Sequence, residues 1–239
     1  MTGCPRALVV LGAGGHGREM IDAILAANMV RDQWRLLGVL DDDESVVPRL
    51  RALGVRWLGA LSSLPELDAQ YVIGIGSNQI RQQINDVATA TGMQAATVVH
   101  PSSSIGMANQ LADGVYLAAH STVTTNVVLG RHAHVNVGAS VAHDCTVGAY
   151  ANLSPGARLG GHVALGNGVF MGINSSVLPR CRVGEWAVIG AGATVVADIG
   201  ARIVCVGTPA RPRGGREHPV GQASGAVNRL CSDSMRDVS

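Results

Sequence analysis

The sequence predicts a two-part chain: a small α/β unit with parallel strands, then a parallel β-helix. Three observations predict it. The chain opens on a strand, a glycine loop and a helix, with Ala7-Leu-Val-Val-Leu11 running into Gly12-Ala-Gly-Gly-His-Gly17 and then into apolar residues at helical spacing. From Val99 the period changes to six, and residues 99 to 200 form 17 hexads in one register. The first position of every hexad, from Val99 to Val195, is Val, Leu, Ile or Met.

Within the first part, the run from Ala7 to Leu11 reads as a strand buried on both faces. Arg18 to Asn28 reads as a helix, with Met20, Ile21, Ile24 and Leu25 on one side. Leu36 to Leu40 is a second strand, ending in Asp41-Asp42-Asp43. Tyr71 to Ile75 is a third, followed by Gly76-Ser-Asn78-Gln and a helix from about Ile80. Gly12, Gly14 and Gly17 match the dinucleotide fingerprint in the right context, and Asp41 stands where a ribose-binding acid belongs. A unit of about 90 residues is half of a complete dinucleotide fold, and half suits one nucleotide.

A fixed six-residue repeat is the signature of a parallel β-helix. Each hexad makes one flat side and a corner of a triangular prism. Three hexads make a coil, so the repeats give about 5.7 coils stacked at the ~4.8 Å strand spacing. The first residue fills the interior. The fifth points inward near the corner and is mostly small, as at Ser121, Ala133, Ala139, Cys145, Ala151 and Ala157. The expected boundaries are residues 1–92 for the α/β unit, 93–210 for the β-helix and 211–239 for a loosely attached tail. That tail is rich in Arg, Gly, Ser and Asp and has no period.

Composition excludes several function classes. All 18 basic residues are Arg, so a lysine Schiff base and a P-loop lysine are both out. A net charge of +1 with 15% charged residues gives no electrostatic reason to expect nucleic acid or an anionic membrane. No apolar run approaches the ~20 residues of a spanning helix. Five Cys lie at 4, 145, 181, 205 and 231 without paired spacing, which suits reduced thiols in the cytoplasm. Cys145 and Cys181 are 36 residues, hence two coils, apart.

The order of motifs narrows the class further. Gly12-Ala-Gly-Gly-His-Gly17, Leu40-Asp-Asp42, Ile75-Gly-Ser-Asn78 with Gln-Ile-Arg81, hexads containing His143-Asp144-Cys145, and Gly207-Thr-Pro-Ala-Arg211 follow in that order. The sequence resembles the left-handed β-helix sugar acyltransferases of the bacillosamine-pathway type, with GDP-perosamine N-acetyltransferases and sialic acid O-acetyltransferase-like proteins, over about residues 6 to 211. The resemblance implies the left-handed coiling, a half-Rossmann-like N-terminal domain, acetyl-CoA as co-substrate, a nucleotide-sugar acceptor and a homotrimer with sites between subunits.

Acetyl transfer needs a base for the acceptor, a donor for the thioester oxyanion and in-line substrates. Histidine has the right intrinsic pKa, ~6.5, and His143 is followed by a carboxylate that can hold one ring nitrogen. The resemblance places the base at His143 and its orienting acid at Asp144, where Glu is common in the family. It puts an oxyanion-binding N–H at Gly161 and CoA contacts at Ile173, Gly190 and Ala191. Asn136 matches a position near the reacting centre. Asn152 stands where the family has a second, substrate-contacting His. Gly12, Gly14, Gly15, His16, Gly17, Asp41, Asp42, Gly76, Asn78 and Arg81 are the expected nucleotide-sugar contacts, with Arg81 alternatively a surface charge on its helix. His120, His132, His134 and His162 read as polar corner residues, and no metal is expected. Two other readings stay open: O-acetylation of a free sugar, and a non-catalytic dinucleotide-binding or zinc-dependent β-helix.

Overall fold

A computed structural model describes residues 4–213. These form two compact units, one through Ala96 and one from Thr97 onward.

In the first unit four parallel strands form one sheet: β1 (Arg6–Leu11), β2 (Trp34–Leu40), β3 (Trp57–Gly59) and β4 (Gln70–Ile73) in the order β3-β2-β1-β4. The apolar run of β1 is the centre of this sheet, and Leu8 to Leu11 are fully buried. Helices α1 (Gly15–Val30) and α3 (Asn78–Ala90) follow β1 and β4, and a short α2 (Val47–Ala52) leads to β3. The third strand of the sequence reading is β4. The short β3 went unseen, because three half-buried residues carry no periodic signal. Helix α3 starts at Asn78, two residues before the expected Ile80, because the Ser77 hydroxyl accepts from Ile80 N at 3.4 Å and caps it.

The second unit is a three-sided parallel β-helix. Two-residue strands cycle through three sheets, and up to Val195 each pairs in parallel with the strand 18 residues away, as His134–Val135 does with Asn152–Leu153. The interior is one column of first-position aliphatics and fifth-position small residues, from Val115 and Leu117 to Ala193 and Val195. Two expectations need correction. Ile105 is 41% exposed, because the first coil stacks on its neighbour from one side only. The seventeenth hexad is two residues short, since Val183 bridges Ile199 and Ile189 pairs with Cys205, steps of 16 rather than 18. The expected tail also begins too early. Arg211 and Pro212 form a strand antiparallel to Val204–Val206, held through Val206 and Cys205, while residues 214–239 lie outside the described residues.

The fourth position of the repeat carries a rule that the sequence reading missed. Every fourth-position residue from Ala108 to Gly192 has a positive φ, including Asn126 at 56°, Asp144 at 60° and His162 at 59°. Left-handed backbone explains why Gly, Asn, Asp and His recur there. It also fixes the direction in which these corner side chains leave the prism.

Candidate active site

The catalytic candidates assemble at one corner of the β-helix, between the strands Ser140–Val141 and Thr146–Val147. His143 Nδ1 lies 2.7 Å from Asp144 Oδ2. The other oxygen of Asp144 accepts from Asn126 Nδ2 at 2.6 Å, one coil earlier. One coil later, His162 Nε2 stands 3.4 Å from the same Oδ2 that faces His143. Hydrogen bonds from Asn126 and His143, helped by the nearby imidazoles, hold the Asp144 carboxyl below its ordinary pKa. Asp144 is therefore ionised at neutral pH and accepts Nδ1–H from His143, leaving Nε2 as the acceptor.

Gly161 lies against the Nε2 side of that ring. A Cβ on Gly161 would sit 2.6 Å from His143 Cε1 and 2.7 Å from Nε2. No acceptor for the Gly161 N–H is present among the described residues. Asn126 is a site residue that the sequence reading did not single out, and His162 was read there only as a polar corner residue. The signal was present, because each is 18 residues, one coil, from Asp144.

The other candidates of this unit sit at a different corner. Asn136 Nδ2 donates to Asn152 Oδ1 at 3.1 Å and to Leu153 O at 2.8 Å, and Asn152 Nδ2 donates to Ser154 Oγ at 3.2 Å. Both Asn are buried. Ile173, Gly190 and Ala191 follow strands of the sheet that carries Asn152, and Ile173 is 54% exposed. The Gly190 N–H is already given to Cys205 O at 2.8 Å, so a ligand there meets its Cα rather than its amide. Within one chain, then, Asn136, Asn152, Ile173, Gly190 and Ala191 are not brought to His143. The reason is arithmetic: Gly161 is one full coil from His143, whereas Ile173 is 30 residues away, a coil and two further sides.

The glycine loop of the first unit divides its work. Gly12 has φ +98°, which an L side chain rarely adopts, and its N–H donates to Leu40 O at 2.9 Å. Gly17 packs its Cα against the Gly12 carbonyl and Gly74, so no side chain fits there. Gly14, Gly15 and Gly76 instead border open space. Helix α1 begins there with no side-chain cap and no acid in its first turn, the arrangement that favours an anion.

Asp41 and Asp42 have structural partners. Asp41 Oδ2 accepts from Ala13 N at 2.6 Å and pins the glycine loop, while Oδ1 accepts from Asp43 N at 2.9 Å. Asp42 Oδ1 accepts from Leu61 N at 2.9 Å. The surface-charge alternative for Arg81 is wrong: its side chain is fully buried. Its guanidinium donates to Ile75 O at 2.9 Å and to Asn78 Oδ1 at 3.0 Å, so Asn78 and Arg81 together hold the loop after β4. Burial, with the positive charge of Arg81 nearby, lowers the His16 pKa to about 4. His16 is therefore a neutral imidazole under the loop at neutral pH. Glu19 at 3.5 Å pulls the other way, but its side chain is 62% exposed and water screens it.

Comparison with known proteins identifies the family. Residues 7–87 match the PglD N-terminal domain. The chain is 30% identical over 157 residues to GDP-perosamine N-acetyltransferase of Escherichia coli O157:H7, covering 64% of this chain and 70% of that protein. The chain belongs to the GDP-perosamine N-acetyltransferase family. Its fold also matches the crystal structure of PerB from Caulobacter crescentus in complex with CoA and GDP-perosamine, with TM-score 0.80, 30% identity, and 87% of this chain and 97% of that one covered. The acetyltransferase domain of PglB from Neisseria gonorrhoeae in complex with acetyl coenzyme A matches with TM-score 0.79 at 28% identity, over 88% of this chain and 100% of that one. The protein is an acetyltransferase that uses acetyl-CoA and N-acetylates a nucleotide-linked amino sugar. The reading as a non-catalytic dinucleotide-binding or zinc-dependent β-helix falls away with this membership.

Proposed function

We propose that His143 is the general base for direct attack of the sugar amine on acetyl-CoA. The observation that carries this reading is the hydrogen-bonded His143–Asp144 pair, with Gly161 packed against its Nε2 side and the Gly161 N–H given to no described acceptor. The amine nitrogen forms a bond to the thioester carbonyl carbon, and its proton passes to His143 Nε2. Gly161 N–H holds the oxyanion of the tetrahedral intermediate. Collapse breaks the C–S bond, and the proton on His143 goes to the leaving CoA sulfur.

The acceptor we infer is a GDP-linked 4-amino-4,6-dideoxy sugar of the perosamine kind, supported by the two relatives at 30% identity. Its diphosphate would lie at the N-terminus of α1, over the space that Gly14 and Gly15 leave, with Gly76 on the opposite loop. Asp41 and Asp42 would contact ribose or base with the lone pairs that their structural bonds leave over.

The separation of His143 from the corner of Asn136, Ile173 and Ala191 supports a homotrimer, left-handed in its coils, with each acetyl-CoA held between two prisms. Each chain would then give His143 to one site and Asn136, Asn152, Ile173, Gly190 and Ala191 to another. No described helix is long and apolar enough to cross a membrane. A cytoplasmic enzyme is the reading that fits an acetyl-CoA donor.

The test is CoA thiol release from acetyl-CoA against GDP-, UDP- and dTDP-linked 4-amino sugars and free sialic acid. Release with a nucleotide amino sugar, lost in His143→Ala, is expected. Release with sialic acid alone would overturn the acceptor class. A monomer by light scattering at micromolar protein would overturn the shared site.

A further inference from the structure

The carboxylate of Asp144 serves two imidazoles, and only one belongs to the mechanism above. His143, Asp144 and His162 present ligand atoms that all lie within 4.8 Å of one another. The two rings stand edge to face, with centroids 5.3 Å apart and an interplanar angle of 89°. Their side chains are 54% and 46% exposed, so the cluster opens to solvent. We propose that His143, Asp144 and His162 form a zinc-type divalent-cation site, and that its occupation switches the enzyme off.

The geometry comes close to a metal site without being strained into one. Tetrahedral zinc with bonds of about 2.0–2.1 Å sets its ligand atoms roughly 3.3 Å apart. The separation of His162 Nε2 from Asp144 Oδ2 is already 3.4 Å. That of His143 Nδ1 from the same oxygen is 2.7 Å and must open slightly, which an exposed side chain can do. Water completes the fourth position. The left-handed backbone at Asp144 and His162 aims both side chains out of the same corner, one coil apart.

Inhibition follows from where the proton sits, and this half of the inference rests on His143 being the base. Catalysis uses the tautomer with hydrogen on Nδ1, bonded to Asp144, and a lone pair on Nε2. Metal binding needs the Nδ1 lone pair, so the imidazole proton must move to Nε2. A zinc-bound His143 is therefore a donor where the reaction needs an acceptor. Metal and acceptor amine compete for one imidazole through its two opposite nitrogens.

The experiment titrates zinc into untagged full-length protein against a chromophoric chelator, comparing wild type, His162→Asn and His120→Asn. Asn tolerates the left-handed backbone that both histidines share, so neither variant is strained there. One zinc per chain at the cluster is expected. Affinity should fall at least ~10- to 100-fold in His162→Asn, since even outer-shell partners of bound metals are worth that much. His120→Asn should bind as wild type does. Equal affinity in wild type and His162→Asn overturns the site. In parallel, acetylated product is followed by mass with and without zinc. Zinc inhibition that EDTA reverses and that His162→Asn weakens supports the switch. Zinc bound at the cluster without inhibition overturns the switch and leaves the acetyl-transfer reading in place. Binding is read without turnover, so the two failures are distinguishable.

Discussion

The two units of the chain use glycine and histidine in opposite ways. In the α/β unit, function-bearing residues are held by irregular contacts: Gly17 against the Gly12 carbonyl, Asp41 on Ala13 N, Arg81 on Ile75 O. In the β-helix they are held by repetition. Asn126, Asp144 and His162 meet because they share one position of one side in successive coils. The first unit buries its histidine and keeps it neutral, whereas the second, which buries His132 and His134, sets the exposed His143 and His162 around a carboxylate. In the irregular unit a substitution is expected to act on stability or loop geometry. At a corner of the repeat it is expected to act on chemistry alone.

The largest effect should come from the corner. His143→Ala is expected to lower kcat by ~10² to 10⁴. The melting temperature and the Kd for CoA should stay near wild type, because the side chain is 54% exposed and lies outside the apolar interior column. Stopped-assay turnover with calorimetry of CoA binding checks this. Parallel loss of binding, folding and turnover would erase the contrast between the units.

Next is the buried histidine. The His16 pKa is held near 4 in the fold against an ordinary 6.5. The unfolded chain therefore takes up a proton that the folded chain refuses. His16 should cost nothing above pH 6.5, then erode stability as pH falls, levelling off below about pH 4. The full effect is at most about 3 kcal/mol. Urea unfolding at pH 7, 5.5 and 4.5 should show a slope that His16→Gln flattens. An unchanged slope would place His16 in a wetter setting than the structure shows.

Gly17→Ala should cost about 1–3 kcal/mol, because its Cβ meets the backbone of Gly12 rather than a side chain that can turn away. Thermal unfolding reads the loss. Gly14→Ala, which borders open space, should leave stability almost unchanged and raise KM for the nucleotide sugar instead.

Legibility in the sequence followed the same division. The hexads placed the coils up to the shortened seventeenth repeat, because one aliphatic residue in six at fixed phase has a single physical explanation. The same arithmetic held the distances between candidate residues. Counting by 18 joins His143 to Gly161 and Asp144 to Asn126 and His162, and it separates all of them from Ile173 and Ala191. In the α/β unit no such count exists. The strands β1 and β2 were visible from apolar runs, but β3 was too short to show. The burial of Arg81 had no signal, because a helical Arg after a glycine loop looks the same whether it faces solvent or clamps the loop.

The smallest effect tests the repeat at its finest. Among the described residues Asn126 makes no side-chain hydrogen bond to His143, and its one side-chain hydrogen bond at the site goes to Asp144 Oδ1. Removing it frees that oxygen and lets the carboxyl pKa rise from its lowered position. Asp144 still stays ionised at pH 7, so the cost is orientation of the dyad rather than loss of its charge. Asn126→Gly is the clean substitution, because glycine accepts the left-handed backbone at φ 56° where alanine would be strained. We expect kcat to fall about threefold to tenfold, the size of one lost hydrogen bond, with KM for both substrates unchanged. A change in KM would mean that Asn126 reaches substrate itself. No change at all would mean that His162 alone suffices to hold the carboxylate, and that the coil before the base is only scaffold.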